Sequence, residues 1–342
     1  MTAEEHGNAA TLRLIPAPKS RDAAIDWMRA LSILYIVGFW HLNNYTTALP
    51  WYRDTPFARV TVLALALFVL ISGFLAGRAG TPVTRQTLAS YYRRRLIRIY
   101  PPYLLALGVF TALGLSGAPF LPSALMLNMI VPPPPFTLWF MTMIVLFYLA
   151  APFLLALAVR PARLTGAIIA IWMILFTLDR LVLDIEDRLL IYLRAFAAGI
   201  LIANHVVPRR LVLAASALLA VIGYGISLNA PILDPDQSLW MALWATASAM
   251  FTFVALRGRM PRSRIVEELS LGGFFLYLFH RPIYVVLLKV SGAQTPWTRE
   301  LLLVFIGFPA AIVFGILAQR AYDAAIKSLA NRRKEQRPLP AL

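Results

Sequence analysis

Residues 25–45 read IDWMRALSILYIVGFWHLNNY. From Ala30 to Trp40 the stretch is almost wholly apolar, as a segment entering lipid must be. Then come His41 and two asparagines. A further nine apolar runs follow, and the spans expected are 27–45, 58–76, 99–116, 136–157, 164–179, 189–204, 211–228, 238–256, 270–288 and 300–320. Crossing a hydrocarbon core of about 30 Å takes roughly 20 such residues. In lipid the backbone must satisfy its own hydrogen bonds, which leaves the helix as the spanning element here. The fold class expected is therefore all-α: a polytopic membrane helical bundle of about ten transmembrane helices. Residues 121–131, LPSALMLNMIV, are too few to cross and run into four prolines. They are expected to form a short re-entrant or interfacial helix packed against protein.

Composition agrees. Of 342 residues, 60% are hydrophobic and 14% charged, with mean hydropathy +0.70. Soluble domains run about 45–50% apolar and about 25% charged. Cysteine is absent, which excludes disulfides, thiolate nucleophiles and Cys-based metal sites. Residues 1–24 read as a flexible cytoplasmic lead, 25–322 as the membrane domain and 323–342 as a basic cytoplasmic tail. The run after Trp27 follows too long a polar region for a cleaved signal and lacks a small-x-small site, so it is a retained first helix.

The net charge of +16 and pI of 10.6 in a soluble chain would suggest nucleic acid. With ten spans and the amino terminus inside, 24 of the 32 Lys and Arg fall on the inner side, six outside and two within spans. That is the positive-inside bias of a membrane protein with both termini cytoplasmic, and it removes nucleic acid as a partner. The outer loops are mildly acidic, with Asp179, Asp184, Glu186 and Asp187 in one and Asp234 and Asp236 in another.

Ionisable side chains within spans mark functional candidates: His41, Arg194, His280 and Arg281. At about 1.5 Å per residue, His41 lies about 18 Å from Arg29, near or just past mid-membrane. Imidazole suits general-base work; a hydrogen bond to a neighbouring helix is the other reading. In YYRRRLIRIYPPY, residues 91–103, Arg95 and Arg98 share a helix face, as do Arg94 and Arg98. Guanidinium groups match phosphate oxygens, and a polybasic lipid anchor fits equally well. The prolines at 101 and 102 are expected to re-aim the chain into the next span. In LGGFFLYLFHRPIYVVLL, residues 271–288, His280 and Arg281 precede Pro282, which is expected to kink the helix and open room for a site. Here too an interhelical hydrogen bond is an alternative. Trp139 and Tyr148, in residues 137–155, are the sort of aromatics that line membrane interfaces.

In this order the motifs resemble the acyltransferase-3 family of integral membrane O-acyltransferases. The resembling pieces are Asp26, Arg29 and His41; Ser72-Gly73-Phe74; RRRLIRIYP; Leu138-Trp139-Phe140 with Phe147-Tyr148 and Pro152; and Tyr277-Leu278-Phe279-His280-Arg281-Pro282. They span residues 25 to about 320. The resemblance implies an enzyme that moves an acyl group, usually acetyl, from acyl-CoA to a hydroxyl. The acceptor would be a carbohydrate of the cell envelope, such as a surface polysaccharide, or a small molecule. It implies His41 and Arg29 as catalytic residues and Arg94, Arg95 and Arg98 as donor contacts. His280, Arg281 and Trp139 are expected on the acceptor side, with no metal, in a bacterial inner membrane. Eleven residues separate Arg29 from His41, one more than is usual in the family; a π-bulge would absorb the extra one. Thr137 stands where many relatives have histidine. A transporter or flippase for a lipid-linked glycan, or a structural component of a polysaccharide assembly, shares the many spans. Only the enzyme consumes acyl-CoA.

Overall fold

A computed structural model describes residues 22–80, 84–228 and 238–335. Within them the chain is helical: α1 (Ala23–Gly38), α2 (Thr55–Ala79), α3 (Arg85–Ala112), α4 (Phe120–Ala124), α5 (Trp139–Leu157), α6 (Pro161–Leu181), α7 (Asp187–Asn204), α8 (Arg209–Ile226), α9 (Ser238–Leu256), α10 (Arg264–Ser291), α11 (Pro296–Leu302) and α12 (Phe308–Glu335). A π turn, Leu303–Gly307, joins α11 to α12 as one continuous rod. Among the described residues eight helices are long and apolar enough to cross a membrane. The remaining two long helices, α3 and α7, carry charges: Arg93, Arg94, Arg95 and Arg98 in one, Asp187, Arg188 and Arg194 in the other. The outward faces of α6, α8 and α12 display apolar side chains such as Ile174, Val221 and Leu317, as lipid requires. This is an integral membrane protein.

Small residues set the tightest helix crossing. A Cβ on Gly73 of α2 would stand 2.0 Å from the carbonyl oxygen of Phe196, and one on Gly199 of α7 would stand 2.0 Å from that of Leu70. Only glycine at both positions lets the two backbones meet, the usual route to close packing where lipid supplies no hydrophobic drive. Helix α1 packs between α2 and α10, α10 packs on α12, and α3 touches α5 and α10. That arrangement brings the first helix, the arginine-bearing third and the histidine-bearing tenth around one space.

Three local expectations are corrected. First, the span expected over 27–45 is found at Ala23–Asn44, but it is not α-helical throughout. Asp22 caps α1 by accepting from the Ala24 N–H at 3.1 Å, and the helix ends at Gly38. Phe39 leaves helical geometry (φ −130°, ψ −71°), and His41 sits on a 3₁₀ turn, Trp40–Asn44. A Cβ at Gly38 would strike the Phe308 ring at 2.4 Å, so the close approach of that ring requires glycine there. Second, α3 begins at Arg85, well before the expected start, behind a Thr84–Thr87 capping box. Pro101 and Pro102 lie inside it and do not end it.

Third, residues 121–131 are mostly not helical: only Phe120–Ala124 coils, and Leu125–Val131 continues in turns. The piece does pack against protein. The Tyr100 and Tyr103 hydroxyls donate to the carbonyls of Ala124 (3.1 Å) and Ser123 (2.7 Å). Residues 323–335 continue α12. The expected lead up to residue 21, the last residues from 336, and Asp234 and Asp236 lie outside the described residues.

Candidate active site

Two histidines 239 residues apart in sequence meet. His41 Nδ1 lies 2.8 Å from His280 Nε2, and the rings stack at 4.8 Å between centroids with a 9° interplanar angle. His280, fully buried, points its other nitrogen, Nδ1, at the Tyr277 carbonyl at 2.8 Å. A carbonyl only accepts, so His280 Nδ1 carries a hydrogen. In a neutral pair His280 Nε2 is then the acceptor, and His41 Nδ1–H is the donor. This leaves the Nε2 lone pair of His41 unspent. The chain of bonds from backbone to His280 to His41 fixes one tautomer of a half-buried imidazole.

Tyr277 stands beside this pair, its ring centroid 6.3 Å from that of His41. Its hydroxyl donates to the Thr137 carbonyl, and Thr137 holds a left-handed backbone (φ 56°). Tyr277 also lines the upper part of a cavity of about 210 Å³. Arg29, Arg95 and Arg98 line the opposite part, with Ile33, Ile36, Phe68 and Phe140 along the walls. Along α1, Arg29 and Ile36 are separated by about 10 Å. The histidines do not themselves line the cavity; Tyr277, which does, stands beside them. Arg95 is held by aromatic faces, 4.2 Å from the Tyr148 centroid and 5.1 Å from that of Tyr91. Buried Ser270 borders the same cavity, and its Oγ has no hydrogen-bond partner. Asp26, one turn before Arg29, is buried as well.

Not every expected residue comes to this cavity. Arg94 is exposed and donates to Ser90 Oγ at 2.6 Å, on the outer side of α3. Arg194 stacks over Trp172 (5.0 Å) and donates to the Leu239 carbonyl, far from the histidines in the packing. Trp139 and Arg281 do not line the cavity, and Arg281 directly follows His280 on α10. Arg188 lies 4.5 Å over the Trp139 ring, Trp139 stacks on Tyr192 at 6.4 Å, and Arg281 lies 4.6 Å over Phe136. The Nε of Arg281 is buried without a hydrogen-bond partner. The same end of the bundle holds a buried pair in which Tyr52 donates to Glu300 Oε1 at 2.5 Å. Burial, then the bond to Glu300, pushes the Tyr52 phenol up, so it stays protonated and donating.

Sequence reasoning did not assign Tyr277, Ser270 or Arg188. Tyr277 was visible as the residue three before His280, a spacing that puts both on one helix face. Arg188 gave no signal beyond its charge.

The acyltransferase-3 family, described as an acyltransferase domain, matches residues 22–320. The chain belongs to this family and is an acyltransferase, an enzyme that transfers acyl groups other than amino-acyl groups. No curated protein and no solved structure matches it significantly.

Proposed function

We propose that this enzyme transfers a short acyl group, acetyl in the simplest case, from acyl-CoA to a carbohydrate hydroxyl, with His41 as general base. The observation that carries the reading is the His41–His280 bond: it leaves the Nε2 of His41 unspent, and the pair stands beside Tyr277, which borders an arginine-lined cavity. The donor enters from the cytoplasm, drawn by the positive inner side of the bacterial inner membrane, where both termini lie. Its phosphates meet Arg95 and Arg98, whose planar guanidinium forks match phosphate oxygens. Arg29 lies at the same end of the cavity, and Ser270 Oγ offers a bond to an amide of the pantetheine arm. The apolar walls guide the thioester toward Tyr277.

The acceptor comes from the other end, against Trp139 and the Arg281–Phe136 pair. His41 Nε2 removes the hydroxyl proton as that oxygen attacks the thioester carbonyl. The resulting imidazolium keeps its Nδ1–H bond to His280, now charge-assisted. The Arg281 guanidinium faces the negative charge on the carbonyl oxygen. The C–O double bond re-forms, the C–S bond breaks, and the CoA thiolate takes the proton back from His41. The products are an ester and free CoA, and the residues are restored.

Two measurements test this. Liposomes holding the full chain, given acyl-CoA and an envelope-glycan extract, should release CoA thiol only when both are present. Surface glycans of a deletion strain should lose an ester by mass spectrometry while the glycan remains. Loss of the glycan itself, with no thiol release in vitro, would refute the reading in favour of glycan transport.

A further inference from the structure

A second cavity, about 970 Å³, lies apart from the histidines, walled by α7, α8 and α9. Leu201 and Ile202 of α7, Leu211 and Leu219 of α8, and Met250 and Val254 of α9 make its sides apolar. Helix α8 packs on α9, and α9 on α7. Beyond the crevice α8 presents bare apolar side chains, Leu218 at 62% and Val221 at 70% exposure, to the membrane. One end carries Arg78, Arg209 and Arg257, from the end of α2, the start of α8 and the turn after α9. Arg194 marks the deep end. From Asn204, the inner end of α7, to Arg194 is about 15 Å, half of a hydrocarbon core of about 30 Å. The crevice therefore has the depth of one leaflet. Thr246 Oγ1, on its wall, has no hydrogen-bond partner.

We propose that this crevice seats one anionic phospholipid of the leaflet on the arginine-bearing side. Its acyl chain lies between α7 and α8 and its phosphate on Arg78, Arg209 and Arg257. Charge and shape both select this occupant. Three guanidinium groups at the lip of an apolar slot call for a ligand with one anionic end and one hydrocarbon end. Arginine pairs bidentately with phosphate, and each basic residue near a membrane surface adds to attraction for anionic lipid. A free anion has no use for the apolar walls, and a zwitterionic lipid gains less from the lip. Arg209 spends one donor on the Ala255 carbonyl at 2.9 Å, leaving the rest of its fork. Arg257 also meets Asp22 Oδ2 at 3.4 Å. Asp22 caps α1, so the headgroup and the helix leading to His41 share one side chain.

The test uses the full chain in mild detergent, titrated with phosphatidylglycerol, phosphatidylcholine or inorganic phosphate and read by native mass spectrometry. Phosphatidylglycerol should be retained as a one-to-one adduct, with roughly tenfold preference over phosphatidylcholine. Arg209→Gln with Arg257→Gln should remove that preference. Leu219→Trp, at a partly exposed wall position, keeps every charge and fills the slot; it should lose both lipids. That variant stands alone if the double arginine variant does not fold. Equal retention of the two lipids by the wild type, or wild-type retention by Leu219→Trp, would overturn the proposal. So would displacement of phosphatidylglycerol by inorganic phosphate alone.

Discussion

Replacing His280 by phenylalanine keeps a planar ring in a fully buried site and removes both of its polar bonds. The Tyr277 carbonyl loses its side-chain donor, and His41 Nδ1–H loses its acceptor at 2.8 Å. In the ground state that bond joins two neutral groups and is worth about 0.5–1.5 kcal/mol. In the transition state His41 is an imidazolium, and the same bond to a charged donor is worth about 1.5–3 kcal/mol. Only the difference, about 1–1.5 kcal/mol, bears on kcat, so its loss should lower kcat by roughly 5- to 15-fold. The donor KM should stay near wild type, because Arg95 and Arg98 are untouched. Gln at position 280 can present an amide oxygen to His41 and should recover part of the rate. The assay is thiol release by reconstituted protein with saturating acceptor extract, run beside a ¹⁵N spectrum of histidine-labelled protein. Wild type should show His41 as the single Nδ1–H form and His280→Phe a mixture of tautomers. A variant with full kcat, or one whose whole defect lies in donor KM, would refute the positioning role.

Further outcomes follow from the other contacts. Arg95→Gln with Arg98→Gln should raise donor KM by tenfold or more and leave acceptor KM unchanged; an unchanged donor KM would point instead to a lipid anchor. Trp139→Ala should raise acceptor KM severalfold and spare the donor side, as read by initial rates at varied extract. Gly73→Ala puts a methyl 2.0 Å from the Phe196 carbonyl oxygen. Overpacking of this kind costs about 1–3 kcal/mol, so the detergent-solubilised variant should melt several degrees lower.

Much of the fold was legible because lipid imposes a simple code. Runs of apolar residues gave helices near the expected places, from α2 to α10. What escaped was decided by contacts between distant residues. No proline or charge marks the stop at Gly38, where the Phe308 ring packs close from across the bundle. The span of α3 was expected to start only at 99 because the arginines before it break the apolar run, yet a capping box starts the helix at Arg85. Between Arg29 and His41 the α-helix breaks at Phe39 and gives way to a 3₁₀ turn, while the π geometry expected there occurs at Leu303–Gly307 instead. His41, His280, Arg95 and Arg98 were each visible as polar residues in or beside apolar runs. Their grouping was not, since pairing across 239 residues depends on how α1 and α10 pack. The same holds for Arg94, one position from Arg95 and turned away from the cavity.

The most direct test of the account is His41→Ala in the reconstituted enzyme, with acyl transfer and acyl-CoA binding measured on one sample. Transfer should vanish while donor affinity and melting temperature hold; transfer at the wild-type rate would contradict the assignment of that imidazole as the base.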